Sequence, residues 1–159
     1  MNPSAAPAEP TSSGSGLVLF AYDGSELAKL AIEEAGRQLA RGREALVLCV
    51  WQPADVGFVP AGELHLNAAQ ASEVRKAAEQ TAAYGAELAE RAGFRTRSMA
   101  AESAPTWRGI ANVAEERDVE LIVLGSHGRH GFAGRVFGSV AAAVADHCTQ
   151  SVLIVHRRA

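Results

Sequence analysis

The sequence predicts an α/β fold, an open five-stranded parallel sheet with helices on both faces, and three observations predict it. Short apolar runs near residues 17, 45, 120 and 151, with a weaker strand signal near 96, alternate with longer stretches of helical periodicity, the pattern of strands joined by crossover helices. The clearest runs, Ala45 to Trp51 and Leu121 to Leu124, are continuously apolar, which suits strands covered on both faces. Turn-forming segments at Asp23-Gly24-Ser25 and Gly125-Ser126-His127-Gly128 follow two of the strands, and open sheets of this kind bind ligands beyond the carboxyl ends of their strands.

The elements follow in order. Leu17 to Tyr22 reads as the first strand, and Asp23-Gly24-Ser25 supplies turn and N-cap chemistry for a helix to about Arg41. In that helix Leu27, Leu30, Ala31 and Ala35 share one face, and Glu33 and Arg37 make an exposed i, i+4 pair. Ala45 to Trp51 is the second strand. Pro53, Gly57, Pro60 and Gly62 mark a loop before a helix from about Leu64 to Arg91, closed by Gly93. A third strand is expected near Thr96 to Ala101. Pro105 suits the first turn of a third helix with Ile110, Val113 and Ala114 inward. Glu120 to Leu124 is the fourth strand, Ser139 to His147 the last helix, and Ser151 to His156 the fifth strand. Residues 1–16, rich in Ala, Pro, Ser and Gly, bury too little apolar surface to offset their ordering entropy. They read as a flexible tail ahead of a single domain at 17–159.

Composition narrows the function. The chain of 159 residues has 15 Lys and Arg against 18 Asp and Glu, so no overall positive field draws it to nucleic acid or anionic lipid. No apolar run approaches the ~20 residues that span a bilayer. The 2 cysteines are too few for a disulfide framework, and the N-terminus lacks the basic and apolar regions of a signal peptide. Reduced thiols and a cytoplasmic location are expected, with neither nucleic acid nor membrane as partner.

The chemistry concentrates between Gly125 and Val140. Glycines at 125, 128 and 138 let the main chain take positive φ and come close to a ligand without a Cβ in the way. Gly138 and Ser139 open the last helix, whose unpaired N–H groups favour an anion. Arg129 and Arg135 add charge. The lysine-bearing Gly-x4-Gly-Lys-(Ser/Thr) loop is absent, which argues against a fast ATPase.

Here the sequence resembles the universal stress protein family. Gly125-x2-Gly128-x9-Gly138-Ser139 matches the G-x2-G-x9-G-(S/T) pattern of its ATP-binding subfamily, and the similarity runs from Leu17 to about His156. The resemblance implies strand order 3-2-1-4-5 in a Rossmann-like sheet of the adenine nucleotide alpha hydrolase-like group, with nucleotide across strands one and four. It implies that Asp23 lies near the nucleotide and that Val50 meets adenine. Gly125, Gly128, Gly138 and Ser139 would contact ribose and phosphate, with Arg129, Val140 and the neighbouring Leu124 completing the site. Ser103 and Ser151 stand where the family often has Gly and Pro.

Simpler readings accompany these. Asp23 could cap the first helix, a role Ser25 could share. His127 and His130 lack a third ligand with zinc-like spacing and read as solvated loop histidines, so no metal site is expected in the protein itself. Cys49 reads as core, Cys148 has no evident base, and Trp107, Ile110, Ala111 and Ala114 read as a packed helix face. Glu115, Glu116, Asp118 and Glu120 read as solvated surface. The leading expectation is a regulatory protein that holds ATP, with magnesium accompanying the triphosphate. The alternatives are a slow ATP hydrolase or nucleotidyl transferase, and a dimerisation module that binds no nucleotide. The final strand, at a sheet edge in the implied order, is expected to form a homodimer.

Overall fold

A computed structural model describes residues 15–52, 68–128 and 137–158. The elements run β1 (Val18–Ala21), α1 (Glu26–Gln38), β2 (Glu44–Trp51), α2 (Ala68–Arg91), β3 (Arg95–Glu102), α3 (Thr106–Glu116), β4 (Leu121–Gly125), α4 (Ser139–His147) and β5 (Ser151–Val155). They form a five-stranded sheet in the order β3-β2-β1-β4-β5, with every neighbouring pair parallel. The expected class and order are thus both present.

The side-chain period of two explains the layering. Val18 and Phe20 of β1, with Tyr22 just past its end, face α1 and α2, where they pack with Ile32, Ala35, Ala89 and Phe94. Leu19 faces the other way and joins Leu48, Ile110, Val113, Ile122 and Val144 beneath α3 and α4. Phe20 and Phe94 meet edge to face with ring centroids 5.1 Å apart. The chain builds outward from β1 to β2 and β3, then crosses back to place β4 on the other side of β1. The strand order therefore reverses between β1 and β4, and the crossovers on either side leave the strands' carboxyl ends open to a ligand.

Several local expectations are corrected. The first helix ends at Gln38 rather than about Arg41, because Leu39 is already extended and Gly42, at φ 79°, turns the chain into β2. Its buried stripe is Ala28, Ala31, Ile32 and Ala35, with Leu27 and Leu30 only half-buried. Arg37 pairs with Glu34 at 2.6 Å rather than with Glu33. Glu34 is the better partner because its other carboxylate oxygen accepts from Gln38, so one side chain draws together two neighbours on the next turn. Glu120 is exposed, as read, and is also paired. It accepts a 2.8 Å hydrogen bond from the buried Arg43, whose Nε donates to the Gly16 carbonyl. Glu115, Glu116 and Asp118 are exposed. The expected start of the second helix near Leu64, the loop before it and residues 1–14 of the expected tail lie outside the described residues. Among the described residues no helix is long and apolar enough to cross a membrane.

Candidate functional site

A cavity of about 300 Å³ opens where the strand order reverses, at the carboxyl ends of β1, β2 and β4. That is the lower end of the range usual for small-molecule sites. It gathers Asp23, Val50, Leu124, Gly125, Gly128, Gly138, Ser139 and Val140 along one lining. Arg129, as well as His130 and Arg135, lies outside the described residues.

Asp23 follows β1 directly. The helix cap belongs to Ser25, whose hydroxyl accepts from the Ala28 amide, so Asp23 is released from that role. Its Oδ1 accepts a 2.9 Å hydrogen bond from the Ser25 amide, which fixes the carboxylate at the cavity. The other carboxylate oxygen faces Gly128, since a Cβ on Gly128 would lie 2.6 Å from Asp23 Oδ2.

The glycines act through close approach. None of Gly125, Gly128 and Gly138 has positive φ, and Gly138 is extended at φ −66°, which corrects the expected reason for them. At Gly125, the last residue of β4, a Cβ would stand 2.9 Å from Leu27 Cβ and 3.0 Å from the Leu27 carbonyl carbon, so the residue lets β4 press on α1. At Gly138 a Cβ would meet the Ser126 carbonyl oxygen at 3.2 Å. That oxygen accepts a 2.6 Å hydrogen bond from the Gly138 amide, and the Ser126 amide donates to Val155 at 2.8 Å. These two bonds tie the mouth of the glycine loop to β5.

The N-termini of α1 and α4 contrast. Gly138 caps α4 without any side-chain hydrogen bond, and Ser139, Val140 and Ala141 of its first turn all line the cavity. An uncapped helix start opening on a cavity offers backbone N–H groups and the positive end of the helix dipole to an anion. Asp23 is the only carboxylate among the described lining residues, and they include no Lys or Arg.

The lining also includes apolar side chains, Leu48, Val50, Ile110 and Leu124. Beyond Val50 stands Gln52, whose Nε2 donates a 2.6 Å hydrogen bond to Thr106 Oγ1 at the start of α3. Sequence reasoning passed over Gln52, Thr106 and Ser126. The alternation of β2 could have signalled Gln52, because Leu48, Val50 and Gln52 step along one face. Nothing local signals its pairing with a residue 54 positions away.

The remaining expectations resolve as follows. Ser126 is 2% exposed, and its hydroxyl lies 3.2 Å from His127 Nδ1. His127 Nε2 is buried without a hydrogen-bond partner, so this histidine is not the solvated side chain expected. Cys49 is buried in the core. Cys148 caps the end of α4, and burial pushes its thiol pKa up, against thiolate chemistry. Trp107 stacks on His147 at 4.4 Å between α3 and α4. No cluster of three or more metal-ligating side chains occurs among the described residues.

Comparison with known proteins agrees with this architecture. Residues 16–156 match the family described as the universal stress protein family. A universal stress protein of Mycolicibacterium smegmatis is 31% identical over 150 residues, covering 89% of this chain and 46% of the relative, so the chain spans about half the length of that relative. Among solved structures, a hypothetical protein whose biochemical function was assigned from its structure aligns with TM-score 0.74 and 22% identity, over 92% of this chain and 99% of its own. A universal stress protein in complex with cAMP aligns with TM-score 0.57 and 24% identity, over 91% of this chain and 98% of its own. One from Archaeoglobus fulgidus in complex with dAMP gives 0.57 and 20%, over 87% and 95%. These three likenesses establish the fold. With the family match over nearly the whole described sequence, the chain belongs to the universal stress protein family.

Proposed function

We propose that this protein binds an adenine nucleotide, ATP accompanied by Mg²⁺, and acts as a regulatory or signalling protein of the stress response. The observation that carries the reading is the uncapped N-terminus of α4 opening, with Gly125 and Gly128, on a cavity that Leu48, Val50, Ile110 and Leu124 also line. The helix start suits phosphate and the apolar side chains a base. The cAMP and dAMP complexes of two structural neighbours support an adenine ligand.

Roles follow from chemistry. Gly125, Gly128, Ser139 and Val140 offer the phosphates backbone amides and, at Ser139, a hydroxyl, while Gly138, whose own amide donates to the Ser126 carbonyl, leaves room for their approach. An ionised Asp23 accepts hydrogen bonds only, so it suits ribose hydroxyls or the accompanying cation rather than phosphate oxygens. Val50 and Leu124 pack on the base. Arg129 adds charge at the phosphates. With no Lys or Arg among the described lining residues, a divalent ion is a natural counter-charge for a triphosphate. The lysine-bearing Gly-x4-Gly-Lys-(Ser/Thr) loop is absent from the sequence, which favours holding the nucleotide over rapid turnover. Cytoplasmic residence, a single domain at 17–159 behind a flexible tail, and a homodimer through β5 belong to the same proposal.

Identification by mass of nucleotide released from the denatured purified protein, followed by calorimetric titration with ATP and Mg²⁺, tests the reading. Adenine nucleotide in the extract and saturable binding are expected. Absence of both would leave the dimerisation module as the surviving alternative. Phosphate release near the median enzyme rate of about 10 per second would favour the hydrolase.

A further inference from the structure

Among the described residues, one buried side-chain nitrogen is left without a hydrogen bond, Nε2 of His127. A native fold rarely leaves such a group unmet, because its lost hydration goes unreplaced. The histidine lies on the cavity lining between Ser126 and Gly128, its ring half-buried. Its Cδ2, bonded to Nε2 along one ring edge, stands 3.7 Å from where a Cβ on Gly138 would sit, and its Cα stands 3.4 Å from the same point. The Gly138 amide, donating to the Ser126 carbonyl at 2.6 Å, holds the two segments together. The unmet nitrogen therefore belongs to the ring edge that faces the uncapped start of α4, where Ser139 and Val140 line the cavity.

In a neutral imidazole one nitrogen donates and the other accepts, and the bond made by one sets the role of the other. Ser126 Oγ lies 3.2 Å from Nδ1, and Ser126 is 2% exposed, so its hydroxyl hydrogen needs an acceptor inside the protein. Nδ1 is that acceptor when the ring's hydrogen sits on Nε2. The other tautomer has Nδ1–H donate to Oγ and leaves both the hydroxyl hydrogen and the Nε2 lone pair unmet. We propose that Ser126 donates to Nδ1, that Nε2 carries the hydrogen, and that His127 gives it in a hydrogen bond to a phosphate oxygen of the bound nucleotide. This rests on the adenine-nucleotide reading of the cavity, to whose phosphates it adds a side-chain donor. An Nε2 that carries hydrogen has no lone pair for a cation, so His127 meets the phosphate and not the accompanying Mg²⁺. Nε2 itself is covered in the structure, and a turn of the half-buried ring about its Cβ–Cγ bond brings it to the ligand. The Ser126 hydroxyl, which rotates to suit its acceptor, follows Nδ1. Ser126 is thus a positioning residue that acts through His127.

The test compares ATP with adenosine, each with Mg²⁺ present, by calorimetric titration of the full chain. The ratio of the two affinities should fall about tenfold or more in His127→Phe, which keeps a ring and loses the donor, the size expected of one hydrogen bond to a charged group. A glutamine amide nitrogen reaches about as far as Nε2, and an asparagine amide only about as far as Nδ1. His127→Gln should therefore recover most of the ratio and His127→Asn should not, a distinction that a ring merely filling space would not make. An unchanged ratio in His127→Phe, or a ratio no better in His127→Gln than in His127→Asn, overturns the proposal. Nitrogen NMR of the isotopically labelled wild type reads the hydrogen directly and stays decisive should a variant fold poorly, with the His127 signals assigned by their absence from whichever variant folds. A hydrogen on Nε2 in the presence of ATP and Mg²⁺, at a resonance that ATP has shifted, is expected. A bare Nε2, or a resonance that ATP leaves in place, overturns the proposal. A wild type that binds neither ligand refutes the site reading as a whole, whereas a preference for ATP that survives intact in His127→Phe refutes this inference alone.

Discussion

Gly128 and the carboxylate of Asp23 share one space, so that a methyl group on the first would come within 2.6 Å of Oδ2 on the second. The two residues lie 105 positions apart in sequence, yet the glycine is what admits the carboxylate to the cavity. Gly128→Ala should therefore displace Asp23 and weaken nucleotide binding by about tenfold, roughly the loss of one charge-assisted hydrogen bond. Gly128 is exposed, so stability should change by less than about 0.5 kcal/mol. Titration calorimetry and urea denaturation read the two effects separately. Full affinity in the variant would remove Asp23 from the site.

Gly125 should behave in the opposite way. Its added Cβ would press on backbone and Cβ of Leu27 at 2.9 to 3.1 Å, and no flexible side-chain end is available to yield. Gly125→Ala should cost about 1–3 kcal/mol of stability, as overpacking does, seen as a lower urea midpoint with an unchanged slope. A midpoint equal to that of the wild type would show that α1 and β4 can part at no cost.

Gly138→Val tests the helix start itself. At φ −66° the backbone tolerates any residue, and the nearest contact of a Cβ is the Ser126 carbonyl oxygen at 3.2 Å, a fit that small shifts relieve. The branched side chain then occupies the approach to the α4 amides. Loss of ATP binding by at least a hundredfold is expected, the equivalent of one to two charge-assisted hydrogen bonds, with the circular dichroism spectrum preserved. Unchanged affinity would make the loop structural.

Most of the sheet was legible in the sequence because β1, β2, β4 and β5 are local apolar runs, whereas β3, with Arg95, Thr96, Arg97 and Ser98 in its first half and no buried residue, gave a weaker signal. The glycine positions were legible as a spacing, but the reason for them was not. Spacing cannot distinguish a glycine that needs positive φ from one that needs a neighbour close by, and Gly125 and Gly128 are of the second kind. Pairs formed across the fold were hidden as well. Arg43 with Glu120, and Gln52 with Thr106, are set by which strand ends and helix starts the topology brings together. The choice of Glu34 over Glu33 on α1 rests on Gln38, which supplies a second donor to the same carboxylate.

Tyr22 links the site's first strand to alkaline stability. Burial against α2, with lesser contributions from the charges of Tyr84, Asp23 and Glu26, pushes its phenol pKa up to about 12. The unfolded chain releases that proton near pH 10. The raised folded value means that the native state holds the proton more tightly, so Tyr22's contribution is fully present below pH 10 and is lost as pH rises from 10 to about 12. Urea midpoints should fall across that window, and Tyr22→Phe should flatten the part of the fall due to this residue. A variant as alkali-sensitive as the wild type would assign the fall to other groups.

Assembly provides the last prediction. β5 lies at the edge of the sheet, where unpaired N–H and C=O groups invite another strand, and Val152, Leu153 and Ile154 are only half-buried. Beside it runs a groove of about 600 Å³ lined by Leu30, Leu153 and Ile154 together with Arg37, Arg157 and Arg158. A two-fold axis pairing β5 with its copy in antiparallel fashion would cover the edge and these apolar side chains at once. Leu153 and Val155 differ as probes of that pairing. Val155 is 6% exposed and belongs to the core, and its carbonyl accepts from Ser126, so a lysine there would damage the monomer and the glycine loop together. Leu153 lies at the groove, and Leu153→Lys would set like charges near one another across the two-fold axis while removing apolar burial. Sedimentation over a range of concentrations should show a wild-type dimer and a dissociation constant raised about tenfold or more in the variant, the cost expected of one lost apolar contact at an interface. Thermal melting of the dissociated variant separates this from loss of the fold. A wild-type chain that stays monomeric at tens of micromolar would rule out the β5 dimer and leave the edge to a different partner.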